Sequence, residues 1–546
     1  MEHHSLTYPL RIPVFRRIWC ASVLSNLGLL ILSVGAAWAM TQLTARADKV
    51  ALIQTALMLP VMLVALPAGA VADMFDRRKV TLVALSVSLA GSILLTVVTV
   101  SGLLQPTVLL GLCFLVGSGM AWFSPAWQAS VSEQVPSGAL PSAIALNSVS
   151  YNIARSFGPA LGGLIVAAAG AVAAFAANVL LYIPLLLVLL FWRRVRETPR
   201  LPPERLGRAI TSGVRYLFHS PPLRTVLART LLTGLAGGSL QALMPIVARD
   251  LIGGQAETYG LILGAFGIGS IVGALLLPRA LRRFSNNDAT VLAVLVLSAC
   301  IAAEGFSHSL QLTAAILVVA GTAWMLSVTV FNMSIQMSSP RWVAGRTLAA
   351  FQAAIAGGIA IGSWVWGSMA QHFGVAAALA MSAGAMLLTA LIGCWMRLPE
   401  SDSAGREPAA LGMPENALAL TGRSGPIVIE VDYEVDPNQA RAFYTAMQDV
   451  QLVRHRNGAY NWSLSRDIQN PAVWKERFQC PTWLDYLRHR SRQTVADVET
   501  QNRAAQFYDP DMVAVRRSLE RPYGSVRWRE DTPDPGVNEI IPIASG

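Results

Sequence analysis

The sequence predicts an all-α membrane protein of twelve transmembrane helices in two six-helix pseudo-repeats, followed by a small α+β domain. Three observations predict it. Apolar runs long enough to cross the ~30 Å hydrocarbon core as helices recur twelve times before residue 397. A shift of 204 residues lays the first six runs on the last six. Charged residues are thin up to about 192 and again from 230 to 396, and dense after 397.

Composition supports the same reading. Of 546 residues 53% are apolar and only 14% charged, and the mean hydropathy is positive. That excludes a string of soluble domains over most of the chain. A formal net charge of +10 would suggest a nucleic-acid partner in a soluble protein. Here the arginines lie in loops between apolar runs, so the charge orients the chain and no nucleic acid is expected. The five cysteines, Cys20, Cys113, Cys300, Cys394 and Cys480, show no CxxC pair and no metal spacing. They read as small buried hydrophobes, without a disulfide framework or a metal site. Arg11, Arg16 and Arg17 precede the first apolar run and no small-residue cleavage site follows it, so a retained first helix is expected.

The runs lie at about 18–40, 50–72, 80–101, 107–130, 142–168 and 171–192, then 225–248, 257–277, 288–308, 312–335, 346–369 and 373–396; they are numbered here as spans 1 to 12. Loops on one side hold Arg16, Arg17, Arg77, Arg78, Lys79, the arginine-rich stretch from Arg193 to Arg224, Arg279, Arg282, Arg283, Arg341 and Arg346. The opposite loops hold Arg46, Lys49 and Arg249. This bias places both termini in the cytoplasm of a bacterial-type inner membrane. At the 204-residue offset Gly69 falls on Gly273, Arg78-Lys79 on Arg282-Arg283, and Trp127-Gln128 on Phe331-Asn332. Ser130 falls on Ser334, Pro136 on Pro340 and Gly158 on Gly362. The halves are therefore 1–192 and 225–398, in parallel repeat. They are joined by a linker, 193–224, whose segment 204–219 is a basic amphipathic helix suited to the inner membrane surface.

After Pro399 the composition changes. Residues 399–425 are rich in Gly, Pro, Ala and charge and predict a flexible linker. A soluble domain follows at 426–530, with a tail at 531–546. Strand patterns begin at Ile427 and Tyr460 and cover 472–480 and 512–519, and helical patterns cover 437–453 and 482–507. The β-α-β-β-α-β order is that of a ferredoxin-like fold.

Between spans 2 and 3 lies Gly69-Ala70-Val71-Ala72-Asp73-Met74-Phe75-Asp76-Arg77-Arg78-Lys79. Gly69 admits a close neighbouring helix. Asp73 can take a facing helix N-terminus or an arginine, and the basic run holds the loop at the cytoplasmic side. The stretch resembles the loop 2–3 signature of the major facilitator superfamily, and its Asp-Arg-Arg-Lys form is similar to the branch holding the enterobactin exporter and secretion effectors. Met74 stands where that pattern has a basic residue and Asp76 where it has a second glycine. In the second half Leu277 replaces the aspartate, leaving a degenerate copy. The resemblance implies two bundles rocking about a central site, with this loop as a gate latch.

Span 5 carries Asn152-Ile153-Ala154-Arg155-Ser156-Phe157-Gly158-Pro159-Ala160-Leu161-Gly162-Gly163. Its Gly-Pro-x-x-Gly-Gly part resembles the signature of facilitator-type exporters, which implies efflux. Arg155, near mid-membrane, is either a structural clamp on polar groups or a participant in substrate, proton or gating chemistry. Its repeat mate is Ile359. Asn26, Gln54, Gln128, Asn152, Gln241, Asn332 and Gln336, with Trp122, Trp127, Trp324 and Phe331, are polar and aromatic groups at depth. Singly each suits an interhelical hydrogen bond or an interfacial ring; together they suit a cavity for an amphipathic substrate.

Membrane carboxylates are few. Glu133 and Glu304 lie near span ends, so protons as coupling ion follow from the resemblance alone, with Glu133 or Asp73 as carriers. No GxxxxGK[ST] occurs, so ATP is not the driver. The soluble domain resembles the small dimeric α+β modules of the antibiotic-biosynthesis monooxygenase type, which implies self-association. Its Arg454, His455, Trp474 and His489 form no metal spacing or nucleophile–base pair, and read either as a folded core with a dimer face or as an oxygenase-like site. The expected function is export of a small hydrophobic or amphipathic molecule, a drug-like compound or siderophore, without a cofactor and without enzymatic chemistry. A membrane-tethered oxygenase-like enzyme and a non-transporting receptor or scaffold are the alternatives.

Overall fold

The computed structural model describes residues 7–136, 139–192, 206–340, 343–399, 418, 420–509 and 512–520. The chain divides into two compact units. The first holds the membrane helices, and the second holds 211–224, 336–347 and the chain from 401.

Eleven continuous helices in the described residues are long and apolar enough to span a bilayer. The longest, Leu140–Phe191, is two helices meeting at Gly170, which takes φ 77° and ψ 177°. A side chain would be strained in that conformation, so glycine ends span 5 and starts span 6 there. Twelve crossings result. The remaining spans are Pro13–Leu43, Ala47–Met74, Arg77–Val100, Pro106–Ser130, Pro221–Leu251, Ala256–Arg283, Asn286–Glu304, Leu310–Met337, Ala344–Phe373 and Val375–Trp395. Span 7 changes winding beyond Ala242, passing through Met244–Ile246 into a π-turn at Val247–Leu251.

Lipid tails are as apolar as leucine, so helices in a bilayer associate through close packing and polar contacts more than through hydrophobic drive. The two halves meet along two seams. In one, a Cβ on Gly163 of span 5 would lie 2.5 Å from Gly260 Cα of span 8. In the other, a Cβ on Gly367 of span 11 would lie 2.4 Å from Ala51 Cβ of span 2. Gly163 and Gly367 are 204 residues apart, and so are repeat mates. The same repeat position builds both seams, which is what a pseudo-twofold axis requires.

In the second unit the tail folds as β1 (Ile427–Glu434), a helix (Ala440–Arg456), β2 (Tyr460–Arg466), β3 (Val473–Cys480), two short helices (Trp483–Ser491 and Val495–Ala505) and β4 (Ala514–Leu519). The sheet is antiparallel throughout in the order β2-β3-β1-β4, the ferredoxin-like arrangement. The sequence pattern read one helix at 482–507. Thr494 ends it, since its hydroxyl accepts from Asp497 N–H while the Asp497 carboxylate accepts from Thr494 N–H, a capping box that starts a new helix.

One face of the sheet buries Ile427, Ile429, Val431, Tyr433, Trp474 and Phe478 against Phe443, Met447 and Val450 of the first helix. Inside this core lies Glu476, fully buried. It accepts from Tyr433 Oη (2.8 Å), Trp462 Nε1 (2.8 Å), Arg454 Nε (3.0 Å) and Arg454 Nη2 (3.3 Å). Burial raises its pKa, but the Arg454 charge and these hydrogen bonds outweigh that and hold it below its ordinary value. Burial, helped by the Arg454 charge, pushes His489 down to about 3, so that imidazole is neutral.

The linker helix occurs at Leu206–Phe218. Its expected resting place was the membrane surface. Instead Tyr216 and Leu217 are buried in protein, and the Arg456 guanidinium lies 5.6 Å above the Tyr216 ring.

Breaking the Arg454–Glu476 pair strands a buried charge, so Arg454→Met lowers domain stability by about 3–5 kcal/mol, measured by denaturant unfolding of the purified protein. Because folding lowers the Glu476 carboxyl, its contribution is complete above its ordinary pKa of 4.5 and disappears as pH falls through the depressed folded value. Glu476→Gln therefore flattens the acid limb of the domain's stability profile.

Candidate functional site

The loop between spans 2 and 3 is tied down by three side chains, all within the first half. Asp76 caps span 3, accepting from Arg78 N–H (3.0 Å) and Lys79 N–H (3.4 Å). The aspartate that departs from the facilitator pattern thus serves as the helix N-cap. Arg77 donates to Glu133 Oε1 at the end of span 4 (3.0 Å) and to the Ala72 carbonyl (3.4 Å). Arg78 caps the end of span 6, donating to the carbonyls of Leu189 (2.8 Å) and Leu190. Cations suit the carbonyl-rich end of a helix. Gly69 faces span 11, where an added Cβ would meet Ala349 Cβ at 3.5 Å, an ordinary contact. The Asp73 side chain lies outside the described residues.

The span 5 glycines act as close-approach points. A Cβ on Gly158 would come 2.9 Å from Leu30 Cβ, and one on Gly162 would come 3.1 Å from Val34 Cβ, both on span 1. Gly163 and the Pro159 carbonyl face Gly260 of span 8. One helix thus packs on two partners, one in each half.

Arg155 lies one turn before Gly158, beside this seam. Its guanidinium carbon is 5.7 Å from the ring centre of Phe266 on span 8. Its Nη2 is buried and has no hydrogen-bond partner. Tyr151, one turn earlier, is 49% exposed.

Hydrogen bonds between the halves fall at one end. Gln54 Nε2 donates to Gln241 Oε1 (2.9 Å), and the Thr55 hydroxyl to the Ala360 carbonyl (2.8 Å). The Ala47 N–H donates to Gln371 Oε1 (2.8 Å), and Arg249 Nη1 to the Thr41 carbonyl (3.3 Å). All four lie toward the end of the bundle that carries the loop between spans 1 and 2. At this end the halves are closed on each other.

Other residues singled out by the sequence fall in different places. Asn26 donates to Ser150 Oγ on span 5 (3.3 Å), and Gln128, exposed, donates to Ser124 Oγ one turn back (3.1 Å). Trp127 stacks on Phe123 with ring centres 5.5 Å apart. Asn332 is half-buried and Gln336 exposed on span 10. The Asn152 side chain lies outside the described residues. Trp324 and Phe331 are buried inside the second half.

Arg229 on span 7 escaped the sequence reading, because it follows Arg224 and looks like the end of a basic loop. It is 3% exposed, donates to Asn287 Oδ1 (2.6 Å) and the Met396 carbonyl (3.2 Å), and lies 5.7 Å over Phe331. It is a buried clamp on spans 9 and 12. Gly260 was missed as well; only its partner across the seam gives it significance.

Comparison with known proteins agrees with this architecture. A sequence profile described as transmembrane secretion effector matches residues 4–523, soluble domain included. The chain is 26% identical over 264 residues to the staphyloferrin A transporter of Staphylococcus aureus, covering 48% of this chain and 66% of that protein. It is 24% identical over 392 residues to the multidrug efflux pump Tap of Mycolicibacterium fortuitum, covering 68% and 92%. Among solved structures, the D-xylose-proton symporter aligns with a TM-score of 0.56 at 14% identity over 70% of this chain and 98% of that one. The nucleoside transporter NupG aligns with a TM-score of 0.54 at 12% identity, over 70% and 98%. At such identities the likeness is one of fold. By its membrane architecture and by a profile running through both the membrane halves and the soluble domain, the chain belongs to the transmembrane secretion effector family of major facilitator transporters.

Proposed function

We propose that the chain exports a small amphipathic molecule, drug-like or siderophore-like, across a bacterial inner membrane by alternating access. The observation that carries this is the seam between the halves, held at the end bearing the loop between spans 1 and 2 by hydrogen bonds and glycine contacts that can be remade. With both termini cytoplasmic, as the basic loops imply, that end is the outer one, which must open for an exporter to release its cargo. Relatives named as a staphyloferrin A transporter and a multidrug efflux pump support the same class of cargo.

Protons are the coupling ion in this reading. The carboxylate positioned for it is Glu133, whose pairing with Arg77 pins loop 2–3 to span 4. Asp73, in the same loop, is the other carboxylate this reading assigns to the coupling. Gln54 and Gln241 serve as the outer latch, and Asn26, Gln128, Asn332 and Gln336 as polar groups along the path.

The soluble domain is assigned no chemistry. Of its buried carboxylates, Glu476 is saturated by four donated hydrogen bonds and Asp497 accepts from Arg456, the Asn457 side chain and the Thr494 N–H. Its other sheet face carries cross-strand ion pairs, Glu430–Arg477 at 3.7 Å, Asp432–Lys475 at 3.8 Å and Asp432–Arg516 at 3.5 Å. Such a face suits water better than a second apolar sheet, so self-association through the domain would use its edges.

Two outcomes test the cycle. In a protein stripped of its native cysteines, Gln54→Cys with Gln241→Cys cross-links on oxidation, stops export in everted vesicles, and recovers on reduction; undiminished export by the cross-linked protein would refute the outer latch. Arg77→Gln and Glu133→Gln each slow export severalfold, and the double variant is no slower than either. That non-additivity, about 1 kcal/mol of coupling, identifies a shared contact.

A further inference from the structure

We propose that Arg155 is an anion-binding residue, and that the exported molecule carries a carboxylate which this guanidinium receives. The inference rests on the exporter reading and adds the chemical class of the cargo.

Arg229 and Arg78 invite comparison with Arg155. Arg229 shows what a structural clamp looks like, with a side-chain amide and a backbone carbonyl accepting from it at 2.6 Å and 3.2 Å. Arg78 does the same for the end of span 6. Arg155 does neither. Its Nη2 is buried without an acceptor, and no carboxylate among the described residues bonds to it. A guanidinium cannot shed its charge as a buried lysine or carboxyl can. An uncompensated cation at membrane depth is therefore an expense the fold must recover elsewhere.

The fold itself does not need it. The equivalent position in span 11 is Ile359, which is 9% exposed in a helix of the same role. Nor does the seam need it, since Gly163 and Gly260 already make the contact about two turns further on. What Arg155 adds is a fork of donors facing a single aromatic ring, Phe266, supplied by the opposite half. A carboxylate held by the fork would sit beside the seam where the two halves meet. Binding beside that seam is what lets cargo bias their rocking. The planar fork matches a carboxylate bidentately, whereas a cationic drug would meet repulsion.

The test uses the purified full-length protein with carboxyfluorescein as an anionic probe and rhodamine 6G as a cationic one. Wild type binds carboxyfluorescein by fluorescence anisotropy, and citrate displaces it while triethyl citrate does not. Arg155→Gln weakens that binding about tenfold or more, and Arg155→Lys by less, because charge survives without the fork. Rhodamine 6G binding is unaltered in both. Equal carboxyfluorescein binding by wild type and Arg155→Gln overturns the proposal, and so does equal loss of both dyes, which marks a clamp. Displacement by triethyl citrate as readily as by citrate overturns it in wild type alone, whatever becomes of the variants. If the probe binds through Arg155 but everted vesicles never accumulate it, the anion site stands and the exporter reading falls.

Discussion

The structure depends on how closely two helix backbones can approach where no hydrophobic force draws them together. Gly163 against Gly260, and Gly367 against Ala51, bring the halves within van der Waals reach of main-chain atoms. At that spacing dispersion and weak polar contacts add up along the helix. It is also a contact that can be remade, because glycine surfaces are smooth and lock no side chain into its neighbour. A seam of interdigitated leucines would hold the halves more firmly and resist separation. Transport by rocking needs the smoother kind.

The polar contacts divide the labour. Those that keep a half intact are satisfied inside it: Asp76 on span 3, Arg78 on span 6, and Arg229 on Asn287 and the end of span 12. Those at the closed end that cross between halves involve, except for Arg249, a single amide or hydroxyl. A neutral hydrogen bond exchanged for one with water costs little net free energy. The closed end can thus open without stranding a charge. The second half shows the same economy at its own hairpin. Loop 8–9 lacks the aspartate, yet Ser285 caps span 9 by accepting from Asp288 N–H at 3.1 Å.

Much of this was legible in the residues and some could not be. Helix lengths, the repeat and the alternation of the soluble strands are periodic properties, and a period survives in one dimension. Gly158, Gly162 and Gly163 announced close packing, but which helix each approached is a pairing across more than a hundred residues in most cases. Gln54 and Gln241 were visible as polar residues at depth; their hydrogen bond to each other was not. Trp324 and Phe331 looked like cavity walls because helical spacing tells which face a residue is on, but not whether that face meets cargo, lipid or another helix. The segment 204–219 misled for the same reason, since an amphipathic helix looks alike on a membrane and on a protein surface.

The two halves began as copies, and their differences are where specificity must reside. A binding site on the axis of two identical bundles would present the same groups from both sides and suit a symmetric ligand. Here one half offers Arg155 and the other offers Phe266 opposite it, while Ile359 stands where a second arginine would be. A second arginine at that position would lie beside the other seam, between spans 2 and 11. A single one, placed against an aromatic ring, gives the seam a polarity that directs one end of an elongated molecule. The repeat supplies the machinery of rocking, and the broken symmetry at this position determines what the rocking can carry.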